Sequence, residues 1–302
     1  MSEARMPRIC EVAPRDGFQS IAQPLPTDEK IAIIRDLVAA GCPRVEIGSF
    51  VSPKAVPQMA DMAEIAAAVK DLPARLCALV PNVRGAENAV EAGIGEVCYV
   101  FSVSEAHNQA NVRQSVAQSL DGLETVASAL PESVRLRVDV ATAFDCPFEG
   151  TVPLDQVLAA VSRVAGIAPE AEIALCDTTG RANPFMVRDR FRAVMALPET
   201  VRNTWAFHGH DTFGQGVANA LAAWEAGVSD FDTAAAGLGG CPFAPGATGN
   251  TATEDLVFAF NEGGLDTGID MGRLLAVADR IAALPGGVTG SHLRLVPRER
   301  AV

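Results

Sequence analysis

The stretch that decides the fold is Ala92-Gly93-Ile94-Gly95-Glu96-Val97-Cys98-Tyr99-Val100, in which glycine separates a helical pattern from a short apolar run. Glycine often ends a helix, because it adopts a left-handed backbone conformation without a steric penalty. The same order recurs at Ala40-Gly41 before Arg44–Ile47 and at Ala226-Gly227 before Asp230–Asp232. A helix that stops at glycine and is followed closely by a strand indicates a repeating β/α unit.

Eight short apolar segments alternate with helical patterns along the chain. The expected strands lie at residues 8–13, 44–49, 75–80, 96–102, 134–141, 172–177, 204–209 and 230–235. One helix is expected to start at Thr27 as its N-cap, and another is expected to open with the capping box Thr251-Ala252-Thr253-Glu254. The other expected helices lie near 56–71, 84–92, 111–130, 153–166, 184–197 and 214–226. Eight such units favour an α/β fold of the (β/α)8 TIM-barrel type. The alternative is a doubly wound sheet, but Pro14–Gln19 does not match its glycine fingerprint.

We expect a single domain over residues 1–302, with the barrel at about 8–262 and an additional C-terminal helix and tail at about 263–302. The formal net charge of −13 argues against nucleic acid and against an anionic membrane as partners. Seven scattered cysteines without a C-x-x-C pair indicate a reducing compartment. Since Met1–Pro7 lacks the hydrophobic core of a signal peptide and no apolar run approaches ~20 residues, we expect a cytoplasmic protein.

A possible chelating pair, His208-Gly209-His210, ends the seventh predicted strand. Side chains two residues apart on a strand point the same way, so both imidazoles share one face. Barrel active sites lie at the C-terminal ends of the strands, where Asp16 and Asn250 can add oxygen ligands. This mixed set suits Mg2+ or Mn2+, whereas zinc more often recruits cysteine. The structural alternative is a pair of core histidines hydrogen-bonded to Asp211 or to the backbone.

Further polar residues lie at the ends of the remaining predicted strands. Arg15 can clamp a carboxylate or stabilise an enolate oxygen, and the alternative is a salt bridge to Glu46 or Asp177. We interpret Glu46 and Asp177 as groups that orient the metal ligands. Cys241 lies in a glycine-rich loop after the eighth strand, where a thiol can act as general acid or base, although most cysteines are inert small hydrophobes.

At these residues the chain resembles the 3-hydroxy-3-methylglutaryl-CoA (HMG-CoA) lyase family of the metal-dependent TIM-barrel lyase and synthase superfamily. The likeness spans residues from about 8 to 284, and its strongest segments are Glu11–Gln19, Val45–Lys54, Pro81-Asn82, His208–Gln215 and Gly237–Asp255. The Arg-Asp and His-x-His pairs belong to the whole superfamily. Gly239-Gly240-Cys241-Pro242 and Ser49–Lys54 are much more specific to the lyases.

The resemblance implies a divalent-metal-dependent lyase that cleaves HMG-CoA to acetyl-CoA and acetoacetate by a retro-Claisen reaction. It implies that Mg2+ or Mn2+ is held by Asp16, His208, His210 and Asn250. It also implies that Arg15 stabilises the enolate, that Cys241 transfers a proton, that Glu46 and Asp177 orient the ligands, and that either Asp16 or His208 accepts the hydroxyl proton. The acyl-CoA substrate would be contacted by Arg15, Gln19, Ser49, Asn82 and Thr178, and the resemblance implies a homodimer.

Two segments depart from the family pattern. They are Ser104–Asn111 after the fourth strand and Ala141–Gly150 after the fifth, and Asp139 stands where an aromatic residue is common in the family. These loops would face the acyl and CoA portions, so a related 3-hydroxyacyl-CoA such as citramalyl-CoA is the second candidate substrate. Two functions compete with the lyase interpretation, namely a Claisen-type synthase or aldolase of the same superfamily and a non-catalytic metal-binding scaffold.

Overall fold

The chain folds into a closed barrel, seen in a computed structural model that describes residues 6–240 and 249–301. Within these residues, eight parallel strands form the barrel, and each pairs with its neighbour in sequence. Strand β1 closes the barrel on β8, with Arg8 opposite Asp230 and Glu11 opposite Thr233. The expected TIM barrel is confirmed. Labelled β1 to β8 in chain order, the strands are Arg8–Glu11, Arg44–Ser49, Arg75–Val80, Glu96–Ser102, Arg135–Ala141, Glu172–Asp177, Thr204–Gly209 and Asp230–Thr233.

Helices surround the barrel because each carries an apolar stripe toward the strands. In Thr27–Ala39, for example, Ile33, Ile34, Leu37 and Val38 are buried. In the part of the chain that the structure describes, no helix combines the length and apolar character needed to cross a membrane. The helices of eight or more residues are Thr27–Ala39, Met62–Val69, Val83–Glu91, Glu105–Val112, Val116–Ala129, Leu154–Ile167, Pro184–Met195, Gly216–Ala226, Thr253–Glu262 and Met271–Ala282.

Several expected boundaries differ from the structure, and three of them concern where helices begin. Thr27 is the first helical residue rather than the N-cap, and its Oγ1 donates to Asp61 Oδ2 at 2.9 Å. The capping box is absent, because the helix begins at Thr253 and Glu254 instead accepts the backbone N–H of Ala236 at 3.1 Å. The helix expected near 111–130 runs from Val116 to Ala129, so it starts later than expected. Residues 111 and 112 instead end a separate helix, Glu105–Val112, after which Arg113 adopts a left-handed φ of 59°.

The barrel interior is unusually polar. Arg137 on β5 donates to Asp232 on β8, and Arg44 on β2 donates to Glu172 on β6 at 2.7 Å. Neither pair of strands is adjacent, so both ion pairs cross the interior. Two sets of largely buried charges are therefore stacked along the barrel axis. The lower charge layer, toward the N-terminal ends of the strands, is Arg44, Glu96 and Glu172, and the upper charge layer is Arg137, Asp139 and Asp232.

Candidate active site

A five-residue π-helical turn, Ala13–Gly17, follows β1 and carries Arg15 and Asp16 over the barrel mouth. The backbone N–H groups of Arg15 and Asp16 both donate to Val12 O, at 3.0 and 2.8 Å. Strand β1 ends at Glu11, so the strand that we expected over 8–13 is shorter. The turn replaces the last part of that strand and projects two adjacent charged residues toward different neighbours.

Three candidate metal ligands meet at this rim. Asp16, His208 and His210 each offer a ligand atom, and these atoms lie within 4.8 Å of one another. The two imidazole rings are 5.2 Å apart between centroids, as two side chains on one face of a strand must be close. His210 Nε2 lies 3.8 Å from Asp16 Oδ2. The structure thus brings together the carboxylate and the two imidazoles that we predicted as ligands.

Asn250 reaches the same place through a short backbone pairing. Asp211 N donates to Gly249 O and Thr251 N to Gly209 O, both at 2.9 Å, so that Asn250 pairs with His210. The Asn250 Nδ2 group donates to Asp16 Oδ2 at 2.7 Å and to Leu238 O at 3.0 Å. Its Oδ1 atom is buried and has no hydrogen-bond partner among the residues that the structure describes.

This partnerless oxygen tests whether a cation fits. A buried polar atom without a partner is unfavourable, and coordination of a cation would satisfy Asn250 Oδ1. One carboxylate, one amide oxygen and two imidazoles form a donor set without thiolate, which suits Mg2+ or Mn2+. The residues therefore fit a divalent cation.

Electrostatics favour the protonation states that metal binding requires at Asp16 and at His210. Burial alone would raise the pKa of Asp16, but the charge of Arg15, followed by those of His210 and His208, lowers it to about 2. Burial lowers the pKa of His210 to about 4. Near neutral pH, Asp16 is therefore an anion and His210 a neutral imidazole with a lone pair to donate.

Arg15 is held between two carboxylates. Its Nε donates to Glu46 Oε2 at 2.6 Å, and its Nη1 donates to Asp16 Oδ1 at 2.7 Å. The third guanidinium nitrogen, Nη2, takes part in neither of these two hydrogen bonds. The salt bridge to Glu46 that we considered is present, and it coexists with a position beside the metal ligands. Glu46 thus fixes the guanidinium of Arg15, and no hydrogen bond in the described part of the chain joins Glu46 directly to a candidate metal ligand.

Asp177 is placed differently from what we expected. Its carboxylate accepts the backbone N–H groups of Arg181 and Ala182, both at 3.1 Å, and so ties down the turn after β6. Burial raises its pKa to about 7. Its link to the ligands runs through the backbone, where His210 N donates to Asp177 O at 3.4 Å.

The residues proposed to bind substrate have varied surroundings. Gln19 is exposed, and Ser49 is fully buried with a partnerless Oγ in the described part of the chain. Asn82 caps a helix by accepting Gly85 N at 3.0 Å, and Thr178 Oγ1 accepts Thr142 N at 2.8 Å. Cys241 lies outside the described residues.

Two buried acidic residues of this site were missed from the sequence. Asp232 accepts a hydrogen bond from His208 Nδ1 at 3.0 Å and lies in phase with Asp230 on β8, a spacing that already marks inward-facing positions. Glu11 accepts Ala13 N at 2.9 Å, Ala235 N at 3.0 Å and Thr253 Oγ1 at 2.6 Å, and so braces the base of the rim. The sequence did not indicate that Asp232 would meet His208, or that Glu11 would meet Ala235 and Thr253, because these contacts join distant segments.

Comparisons with known proteins agree with this geometry. A family model described as HMGL-like matches residues 6–281. The chain is 41% identical over 287 residues to the 3-hydroxy-3-isohexenylglutaryl-CoA/hydroxy-methylglutaryl-CoA lyase of Pseudomonas aeruginosa, covering 94% of this chain and 95% of that protein. It is also 41% identical over 291 residues to the (R)-citramalyl-CoA lyase of Chloroflexus aurantiacus, covering 92% and 90%.

A solved structure gives the same result. An HMG-CoA lyase from Acinetobacter baumannii, in complex with coenzyme A and 3-methylmalate, superposes with a TM-score of 0.89 at 40% identity. The alignment covers 97% of this chain and 95% of that one. On the evidence of the barrel, the rim geometry and these matches over nearly its whole length, the chain belongs to the HMGL-like family of carbon–carbon lyases.

Proposed function

We propose that this protein is a divalent-metal-dependent acyl-CoA lyase that cleaves HMG-CoA to acetyl-CoA and acetoacetate. The observation that carries the proposal is the meeting of Asp16, His208 and His210 ligand atoms within 4.8 Å, with Arg15 bonded to the same Asp16 carboxylate at 2.7 Å. This places a candidate cation site and a fixed guanidinium side by side. The relatives that are lyases of HMG-CoA and related thioesters support the same activity.

Asp16, His208, His210 and Asn250 would hold Mg2+ or Mn2+. When bound, such a cation supplies Lewis acidity toward the hydroxyl and carboxylate oxygens of the substrate. The reaction breaks the bond between the carbon bearing the hydroxyl and the carbon next to the thioester. The hydroxyl proton passes to a base, and the bonding electrons pass to the thioester as an enolate. Of the two candidate bases, Asp16 has a second carboxylate oxygen besides the one that would bind the cation, whereas His208 carries its proton on Nδ1 beside Asp232 and would use Nε2 for the cation.

Arg15 then acts on the developing enolate. Glu46 and Asp16 hold the guanidinium by Nε and Nη1, so Nη2 is available to donate to the thioester oxygen as it gains charge. A donor fixed before the reaction needs no reorganisation when charge develops. Protonation of the enolate carbon, which we assign to Cys241, gives acetyl-CoA and leaves acetoacetate.

The identity of the acyl group rests on the loops after β4 and β5. Ser104 Oγ contacts Cys146 Sγ at 3.0 Å and donates to Glu149 Oε2, and these contacts join the two loops. His107 Nδ1 pairs with Ser102 Oγ at 2.7 Å, and burial lowers the pKa of His107 to about 4, so the imidazole is neutral. These loops depart from the family pattern, and a citramalyl-CoA lyase is among the relatives. Citramalyl-CoA is therefore the second candidate substrate.

Product analysis tests the proposal. The metal-stripped protein would be incubated with HMG-CoA, citramalyl-CoA and 3-hydroxybutyryl-CoA, with Mg2+, with Mn2+ and without metal, and the products identified by mass spectrometry. We expect acetyl-CoA and acetoacetate from HMG-CoA only with metal, and neither from the variant His208→Ala. Cleavage of citramalyl-CoA alone would favour the second candidate, and acetyl-CoA from none of the three would reject the lyase assignment.

The assembly and location are part of the proposal. We infer a homodimer from the family resemblance, and we infer a reducing compartment such as the cytoplasm from the scattered cysteines. Light scattering after size-exclusion chromatography tests the dimer, and a mass equal to 31.5 kDa would contradict it.

A further inference from the structure

A chain of buried ionic contacts runs downward from the metal ligands into the barrel. His208 Nδ1 lies 3.0 Å from Asp232 Oδ2, and Arg137 Nη1 donates to Asp232 Oδ1 at 2.8 Å. Arg137 Nη2 also donates to Asp232 Oδ2, so the guanidinium grips both oxygens of the carboxylate. Arg137, Asp232 and His208 are 1%, 3% and 7% exposed, so water does not compete strongly for these bonds.

Asp232 determines which nitrogen of His208 can bind a cation. A carboxylate accepts hydrogen bonds only, so the contact places a proton on Nδ1. In the neutral ring the lone pair then lies on Nε2. Histidine ligands are commonly oriented in this way by a carboxylate behind them.

Arg137 determines where Asp232 stands. Its two Nη atoms bind Asp232 in the bidentate arrangement that fixes a carboxylate in plane, while its Nε donates to Asp139 Oδ1 at 2.6 Å. Asp139 lies on β5, the same strand as Arg137, and its carboxylate therefore holds the guanidinium from that side. A lysine in place of Arg137 would keep the charge and lose this planar grip.

We propose that Arg137 is a positioning residue for the metal site, which it supports by holding Asp232 behind His208. The inference rests on the metal site of the proposed function. Arg137 has no contact with the candidate ligands, and its effect passes through one shared carboxylate. The upper charge layer thus contributes to the stability of the barrel and also fixes the orientation and the protonated nitrogen of His208.

The lower charge layer provides a matched control. Arg44 is also buried, at 4% exposure, and it contacts carboxylates from three other strands, Glu96, Glu172 and Asp230. Arg137 Nη1 lies 3.5 Å from Glu172 Oε1, so the two layers share this one carboxylate, whereas Asp232 is bonded to Arg137 alone of the two arginines. The contacts of Arg44 do not include any of the candidate metal ligands. Replacing Arg44 should disturb the barrel as strongly as replacing Arg137 and leave His208 in place.

A double-mutant cycle tests the proposal. Metal-stripped wild type, Arg137→Lys, Asp232→Asn, the double variant and Arg44→Lys would be titrated with Mn2+, with free Mn2+ followed by electron paramagnetic resonance, and thermal unfolding recorded for each. We expect the Kd for Mn2+ to rise about 10- to 100-fold in Arg137→Lys and in Asp232→Asn. The double variant should bind no more weakly than Asp232→Asn, since both changes break one chain of contacts. Arg44→Lys should unfold at a lower temperature and bind Mn2+ as the wild type does.

The outcomes separate this proposal from the one on which it rests. A wild type that binds no Mn2+ removes the metal site itself. A wild type that binds Mn2+, with Arg137→Lys or Asp232→Asn within about 2-fold of it, or with additive effects in the double variant, overturns the role of Arg137. If Arg137→Lys does not fold, Asp232→Asn still tests the carboxylate through which Arg137 acts, because its volume is preserved and Arg137 keeps its bond to Asp139. A Kd for Mn2+ within about 2-fold of the wild type would then overturn the proposal.

Discussion

Asn250 donates a hydrogen bond of 2.7 Å to Asp16 across a sequence separation of 234 residues. The same amide nitrogen donates to Leu238 O at 3.0 Å. Because both partners are acceptors, they support the assignment of this end of the amide as the nitrogen. The amide oxygen is left without a partner in the described part of the chain, and the bond from Nδ2 places the Asn250 side chain next to Asp16, one of three other candidate ligands. Asn250 therefore both braces Asp16 and offers a ligand atom.

The first prediction concerns this amide. Asn250→Ala removes a candidate ligand and the bond that holds Asp16, so we expect the affinity for Mn2+ to fall at least about 10-fold. Isothermal titration of the metal-stripped protein measures it. The control is Asn203→Ala, which removes another buried amide that donates to Ala168 O and Ala171 O away from the rim. Equal Mn2+ affinity in the Asn250 and Asn203 variants would contradict the assignment.

The second prediction concerns the guanidinium at the rim. Arg15→Gln removes the donor that we assign to the enolate, and loss of one such donor typically lowers kcat by about 100- to 1,000-fold. Arg15→Lys keeps the charge and should lose less, although the bonds to Glu46 and Asp16 use two separate nitrogens that one ammonium cannot fully replace. Steady-state kinetics with HMG-CoA measures both variants. Turnover of Arg15→Gln within about 3-fold of wild type is not compatible with the proposed role.

The third prediction concerns the backbone just before Asn250. Gly249 has a left-handed φ of 112°, and an added Cβ would lie 2.1 Å from Gly237 O and 2.5 Å from Gly239 O. Gly249→Ala should therefore displace Asn250 and weaken Mn2+ binding. Gly264→Ala is the control, since Gly264 also has a positive φ, of 79°, but its Cβ would meet nothing within 4 Å.

Both glycine variants should be destabilised by the strained backbone, by about 1 kcal/mol or more. Only Gly249→Ala should also lose metal affinity. A titration in which both variants bind Mn2+ like the wild type would show that the close packing at Gly249 has no bearing on the rim.

The fourth prediction concerns pH. Burial raises the pKa of Glu11 from 4.5 to about 7 in the folded protein. At this carboxyl the native state then binds more protons than the unfolded state between these values, so the contribution of Glu11 to stability falls as pH rises from 4.5 to 7. The loss is about 3 kcal/mol at most, and it is complete above about pH 7.

Denaturant unfolding at several pH values between about 4.5 and 8 tests this dependence. Glu11→Gln cannot titrate, so the unfolding free energy of the wild type should fall relative to that of Glu11→Gln by up to about 3 kcal/mol as pH rises through this range. The exposed Glu132→Gln serves as control and should follow the wild type. An identical pH slope in wild type and Glu11→Gln would refute the prediction.

The fifth prediction concerns Cys241, which lies outside the described residues. From its position in the glycine-rich loop we expect Cys241→Ser to lower turnover at least about 10-fold and to leave metal affinity unchanged. Cys42→Ser, a substitution at a buried thiol, is the comparison. Near-normal turnover of Cys241→Ser would remove Cys241 from the mechanism.

Periodicity allowed the fold to be predicted, because each β/α unit has a local sequence pattern. The apolar runs in Arg44–Ser49 and Glu172–Asp177 matched the observed strands in full. Local signals failed where tertiary contacts took over. Thr27 bonds to Asp61 instead of capping its helix, and Glu254 accepts a bond from the turn at Ala236. Such partners are fixed only when distant segments meet.

The sequence could predict which residues lie near one another in the candidate site, because the C-terminal ends of all barrel strands lie at one rim. His208 and His210 could be paired by spacing, and Asp16 was assigned by its place after β1. The contacts behind them were not predictable, because Asp232 and Arg137 are charged residues within otherwise ordinary strands. Only the closed barrel shows that they meet across its interior.

The pairing of β1 with β8 has a consequence for how the molecule assembles. Asp16 follows the first strand, whereas His208, His210 and Asn250 come from the last third of the chain, so the candidate ligands lie on both sides of the closing seam. A cation held there ties the beginning of the polypeptide to its end, and a chain still emerging from the ribosome cannot complete the ligand set before Asn250 has been made. Because it binds only the closed form, free metal at about 100 times Kd would stabilise that form by about 2.7 kcal/mol.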